Sequence, residues 1–97
     1  MTLEEVARAV KGRLCQGNAG VRVRTVSIDS RSLTGGELFF ALRGQRYDGH
    51  EFVPQALAAG AAGVVVERMV SGLSSGAAVI QVDDTLKALQ QLARYNR

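Results

Sequence analysis

Chemistry-bearing side chains crowd into two short polar stretches. The first is Asp29-Ser30-Arg31, which interrupts an apolar alternation carried by Val26 and Ile28. The second runs from Gly44 through Gln45, Arg46, Tyr47, Asp48 and Gly49 to His50, after the apolar run Leu38 to Leu42. If these are loops leaving adjacent strands, Ser30, Arg31, Gln45, Arg46 and Tyr47 share one rim. A hydroxyl, guanidinium, amide and phenol together can hold a phosphorylated, ring-bearing ligand. Ser30 is the strongest ligand candidate, because a hydroxyl just after a strand, beside free backbone N–H groups, suits phosphate oxygens. Tyr47 can either stack on a base or cover the core edge. Asp29 and Asp48 can act as a carboxylate pair, but Asp beside Ser or Gly more often ties down its own turn. His50 is the lone histidine and reads as a turn or capping residue, since no Ser or Asp partner spacing is legible.

The elements that would place these corners follow from periodicity. Thr2-Leu3-Glu4-Glu5 has the form of a capping box, and Leu3, Val6, Ala7 and Val10 repeat at helical spacing, so a helix is predicted over Leu3 to Lys11 with Gly12 as its stop. Arg13 to Gln16 is a short strand. Val21, Val23 and Thr25 alternate with Arg22 and Arg24 as a half-exposed strand, after which Val26 and Ile28 take over the apolar face. Glu37 to Leu42 reads as a central buried strand. Phe52 to Ala58 reads as a helix beginning no earlier than about Glu51, with Pro54 in its first turn and Gly60 as its end. Gly63 to Val66 is a second buried strand, parallel to the first through a right-handed βαβ crossover. A flexible turn over Ser71 to Gly76, a strand over Ala77 to Val82 and a helix capped by Asp83 or Asp84 complete the chain.

Composition bounds the function. The 97 residues make one domain, 46% apolar and 22% charged, with no tryptophan. Twelve basic residues against nine acidic give a net charge of +3, and eight of the basic residues lie in the first fifty. No basic stripe is present, which favours a small anionic ligand over nucleic acid. A single cysteine allows no internal disulfide, and no apolar run approaches the ~20 residues that span a bilayer. Acidic Glu4 and Glu5 stand where a signal peptide would be basic, so a cytoplasmic location is expected. One His and one Cys argue against a metal site. There is no GxxxxGK followed by Ser or Thr, and no GxGxxG after a strand.

The segments Asp29-Ser30-Arg31, Gly36-Glu37-Leu38-Phe39-Phe40-Ala41-Leu42, Gly44, Asp48-Gly49-His50-Glu51-Phe52, Ala56 and Gly60-Ala61 stand in one register and resemble the N-terminal domain of the Mur ligases. The opening Thr2 to Ala7, the Leu42 to His50 corner and the run Val82 to Gln90 are most similar to the branch that adds D-alanyl-D-alanine to UDP-N-acetylmuramoyl-tripeptide. The branch that adds the third peptide residue shares the first corner and is the alternative. It can carry His-Gln-Ala where this chain has Gln45-Arg46-Tyr47.

The resemblance implies an α/β fold: a small mixed, partly parallel sheet flanked by helices. It implies that residues 1–97 are the UDP-substrate-binding domain of a three-domain ligase, with the ATP-binding central domain and the C-terminal domain lying beyond Arg97. It implies ATP and Mg2+ as cofactors of that full-length enzyme, and no catalytic residue, cofactor or metal in this segment. The implied partners are a UDP-N-acetylmuramoyl-peptide, D-alanyl-D-alanine and the chain's own central domain, without nucleic acid or membrane insertion. Residue by residue, Ile28, Ser30 and Arg31 with Gln45, Arg46 and Tyr47 would contact the UDP moiety. Asp29, Asp48 and His50 would brace the loops. A non-catalytic regulatory or interaction module of the same α/β shape is the competing expectation.

Overall fold

The computed structural model describes residues 1–44, 48–70, 73 and 77–95. Its centre is a five-stranded sheet built from β1 (Arg13–Gln16), β2 (Thr25–Ser27), β3 (Glu37–Phe40), β4 (Gly63–Val66) and β5 (Val79–Gln81), in the order β1-β5-β4-β3-β2. β2 to β5 are parallel neighbours, and β1 adds antiparallel to β5. The small mixed, partly parallel sheet that the resemblance implies is therefore present.

Every residue of β3 and of β4 is buried, as strands covered on both faces require. The pleat divides them between two cores. Leu38, Phe40, Val65 and Ile80 meet Leu3 and Val6 of α1 (Leu3–Ala9) and Ala88 and Leu92 of α3 (Thr85–Tyr95). Phe39, Val64, Val66 and Val79 meet Val53 and Ala56 of α2 (Val53–Ala58). A one-residue slip of β3 would exchange the two sets, so the register is strongly specified.

α1 starts with the expected capping box: the Thr2 side chain accepts from Glu5 N–H, and the Glu5 carboxylate accepts from Thr2 N–H at 3.0 Å. It ends earlier than the apolar spacing suggests. Val10 caps it, and Lys11 takes the left-handed conformation at φ 55°. Lys11 N–H then bonds Arg8 O at 3.2 Å and Gly12 N–H bonds Ala7 O at 2.8 Å, the two bonds of a Schellman motif. Gly12 serves for proximity rather than for φ: a Cβ there would lie 2.8 Å from Ile80 and Val82 methyls.

Two further expectations are corrected. Of the strand expected over Val21 to Thr25 only Thr25 joins the sheet; Arg22 bridges Thr2, and Val23 N–H bonds Met1 O at 2.8 Å, so Val21 to Arg24 run beside the residues leading into α1. β2 lies later, at the sheet edge. Val26 and Ile28 therefore do not carry a buried face: they are 39% and 53% exposed, and the buried residue is Val23. α2 begins within the expected limit, at Val53 with Pro54 in its first turn, and a 3-10 turn over Gly49–Phe52, capped by Asp48, precedes it. The turn expected over Ser71 to Gly76 falls mostly outside the described residues, as does Arg97. Among the described residues, no helix is long and apolar enough to cross a membrane.

Candidate functional site

Because β2 and β3 are adjacent and parallel, the chain leaves both at the same sheet edge, roughly 5 Å apart. That edge, outside the carboxyl ends of parallel strands, is where open α/β sheets place ligands. The two polar corners are these exits.

The first corner is organised by Asp29. Its Oδ1 accepts from the Arg31 backbone N–H at 2.9 Å and from Arg31 Nε at 3.2 Å, while its carbonyl accepts from Ser32. These Arg31 bonds, backbone first, hold the Asp29 carboxyl below its ordinary range. Ser27 Oγ closes the turn from the other side, donating to Asp29 O and accepting from Asp29 N–H. Asp29 thus ties its own turn. The amide supply is smaller than the sequence suggests, since the N–H groups of Arg31 and Ser32 are both engaged by Asp29. Ser30 is half-buried and has no hydrogen-bond partner among the described residues. Ile28 stands exposed on the same turn, and the Arg31 side chain is 88% exposed.

The second corner is closed by a bridge between Arg43 and Asp48. Gly49 follows, its N–H bonded to Leu42 O at 2.8 Å, and a Cβ at Gly49 would come within 2.7 Å of that oxygen. Gln45, Arg46 and Tyr47, assigned to the ligand, lie outside the described residues.

Asp48 and His50, expected from the resemblance to brace the loops, bond each other, although no Asp partner for His50 is legible in the sequence. Asp48 Oδ1 accepts from His50 N–H at 3.0 Å and lies 2.6 Å from His50 Nδ1; Oδ2 pairs with Arg68 at 2.8 Å. Burial works against the Asp48 charge, yet the His50 backbone N–H, the His50 ring and Arg68 outweigh it and hold the carboxyl well below the usual range. The His50 side chain is buried, and its Nε2 accepts the Glu67 backbone N–H at 2.9 Å. An accepting Nε2 places the ring proton on Nδ1, where it is donated to Asp48.

Glu67, first residue after β4, is the junction that sequence reasoning missed. Its Oε1 pairs with Arg43 Nε at 2.9 Å, and its Oε2 accepts from Thr85 N–H at 2.9 Å and Thr85 Oγ at 3.2 Å. One carboxylate thereby joins the β3 exit to the first turn of α3, where Asp84 also caps by accepting from Lys87 N–H. The available signal was an acid directly after three consecutive valines, with Arg43 at the neighbouring strand's exit.

Among the described residues, two cavities lie away from the corners. One of about 190 Å³ sits between β2 and α3, lined by Val23, Val26, Leu89 and Leu92. The other, about 380 Å³, is lined by Lys11, Arg13, Gln81 and Asp83. No cluster of three metal-ligating side chains occurs among the described residues.

Comparison with known proteins now defines the class. A family model described as "Mur ligase family, catalytic domain" matches residues 22–97, and the chain belongs to the Mur ligase family. Among particular relatives, UDP-N-acetylmuramoyl-tripeptide–D-alanyl-D-alanine ligases are 51% identical over 73 residues (Synechocystis; 75% of this chain, 16% of the relative) and 46% identical over 94 residues (Bacillus subtilis; 96% and 21%). A UDP-N-acetylmuramoyl-L-alanyl-D-glutamate–2,6-diaminopimelate ligase from Bacteroides fragilis is 33% identical over 93 residues, covering 96% of this chain and 19% of the relative. The crystal structure of MurF from Acinetobacter baumannii superposes with a TM-score of 0.85 at 33% identity, over 97% of this chain and 20% of that one. The chain thus spans about a fifth of the length of the relatives it matches.

Proposed function

We propose that this chain is the substrate-anchoring domain of a peptidoglycan-precursor ligase, holding the UDP end of UDP-N-acetylmuramoyl-tripeptide while D-alanyl-D-alanine is added elsewhere in the protein. The observation that carries the reading is the pair of braced polar corners at the carboxyl ends of neighbouring strands β2 and β3. There an exposed Ile28 can cover a uracil face, and the Ser30 hydroxyl and the Arg31 guanidinium can meet phosphate oxygens. By the resemblance, Gln45, Arg46 and Tyr47 would add to this set. The names of the D-alanyl-D-alanine ligases support the choice of substrate.

Although the matching family model carries the words "catalytic domain", the sequence holds no glycine-rich phosphate loop. ATP, Mg2+ and the acyl-transfer chemistry are therefore assigned to other domains of a cytoplasmic, ATP-dependent ligase. This segment contributes binding energy and no catalytic group. Holding the nucleotide end would position the distant peptide carboxylate, converting remote affinity into orientation.

A second reading, the same domain of the ligase adding the third peptide residue, is favoured by the diaminopimelate-ligase relative. Calorimetry with UDP-N-acetylmuramoyl-dipeptide and -tripeptide on the full-length gene product separates the two. Preference for the tripeptide supports D-alanyl-D-alanine addition, and preference for the dipeptide overturns it. No affinity for either refutes the anchoring role.

A further inference from the structure

The sequence gives Arg43 no role of its own, yet its surroundings orient it as a ligand-binding arginine. It is the charged residue that follows Ala41 and Leu42 out of β3, at the edge shared with the first corner. Its Nε is committed to Glu67 Oε1 at 2.9 Å. Glu67 cannot follow a wandering arginine. Its side chain is only 15% exposed, its other oxygen is held by Thr85 N–H and Oγ, and its backbone N–H is held by His50.

Surface ion pairs commonly contribute little, because both partners are free to leave. Here one partner is fixed by four further hydrogen bonds, the fourth from Gln81 Nε2 to the Glu67 carbonyl at 3.3 Å. The guanidinium is planar, so fixing Nε also fixes the direction of the Nη1–Nη2 edge. Among the described residues that edge has no hydrogen-bond partner, and the side chain is 64% exposed. The other described cations of this edge differ. Arg68 has an Nη nitrogen engaged by Asp48, and Arg31 is tethered to an Asp29 that is itself half exposed.

We infer that Arg43 is a further ligand-binding residue, presenting its Nη1–Nη2 edge to two oxygens of a nucleoside diphosphate, with Glu67 as the positioning residue that aims it. The inference rests on the nucleotide-anchoring reading above and adds to it the cation and its holder.

The test is an NMR titration of the chain with uridine diphosphate, and separately with inorganic pyrophosphate, following the Arg43 Nε–H signal. The variants are Arg43→Gln, Arg43→Lys and Glu67→Gln, with Arg22→Gln as a control for net charge. The expected result is that both ligands move the Arg43 signal. Arg43→Gln weakens uridine diphosphate by about tenfold or more, while Arg22→Gln stays within about twofold. Arg43→Lys recovers only part of the loss, because an ammonium cannot form the two-point contact. Glu67→Gln, which keeps an oxygen for Thr85 and the charge on Arg43, also weakens binding. Equal affinity in Arg43→Gln and Arg22→Gln overturns the inference. A chain that ignores uridine diphosphate while its Arg43 signal follows pyrophosphate loses the nucleotide reading and keeps the anion site; one that ignores both loses both.

Discussion

Replacing His50 with Ala should be among the most damaging single changes at the candidate site. Two bonds disappear together: Nε2 to the Glu67 N–H at 2.9 Å and Nδ1 to the Asp48 carboxylate at 2.6 Å. Leaving the Glu67 amide without a partner costs about 1–3 kcal/mol, and a hydrogen bond to an ionised group contributes about 1.5–3 kcal/mol. The imidazole is almost wholly buried, at 2% exposure for the residue, so its removal also leaves a cavity. Water entering that cavity recovers part of the polar loss, and the net destabilisation is about 3 kcal/mol. For a domain of this size that lowers the thermal midpoint by roughly 12–24 °C. Urea unfolding followed by circular dichroism measures it directly, as a lower midpoint at unchanged slope. The bonding also demands a neutral ring protonated on Nδ1, which imidazole nitrogen shifts report. A loss below about 1 kcal/mol, or a ring protonated on Nε2, would refute the reasoning.

Gly49→Ala should destabilise by about 1–3 kcal/mol, because its Cβ would meet the Leu42 carbonyl at 2.7 Å and the Leu42 nitrogen at 2.8 Å, both backbone atoms; an unchanged urea midpoint contradicts that. Lys11→Gly should stabilise by up to about 1 kcal/mol, since a left-handed residue other than glycine is strained, and a destabilised variant argues that the Lys11 side chain holds something else. Asp48, whose folded pKa is depressed, contributes stability that is fully present above about pH 4 and is lost as pH falls through its folded value. Asp48→Asn should therefore be less stable at pH 7, while losing less stability than the parent between pH 5 and 2 in acid titrations of the urea midpoint, with pH bounds taken as approximate limits of carboxylate titration.

The fold was legible where one physical signal dominated. The short apolar runs at Leu38–Leu42 and Val64–Val66 read as buried strands and supply most of β3 and β4, and the capping box at Thr2 marked the start of α1. The edge was not legible. Val26 and Ile28 have strand-forming side chains, but nothing local says that β2 lies outermost, with a groove rather than a packed helix over Val26. Likewise, Gly12 read as the helix stop, whereas Lys11 bears the positive φ and Gly12 makes room for Ile80 and Val82.

At the candidate site the sequence identified the short-range part. Asp29 ties the turn it sits in, and Asp48 caps the residues just after it, both within three positions. The long-range part was hidden, because Arg43–Glu67 and Glu67–Thr85 join residues 24 and 18 positions apart, brought together only by the parallel order of β3, β4 and the start of α3. A glutamate after three valines carries no label saying which neighbours it will meet.

The anchoring role is tested most directly by titrating the chain with UDP-N-acetylmuramic acid, with UMP and ATP as controls, and following the backbone amides. The account predicts saturable shifts at Ile28, Ser30, Arg31 and Arg43, shared in part by UMP and weakened in Ser30→Ala, with ATP moving Arg43 alone. A folded chain that gives no saturable shift at those residues, or that responds equally to ATP, would contradict it.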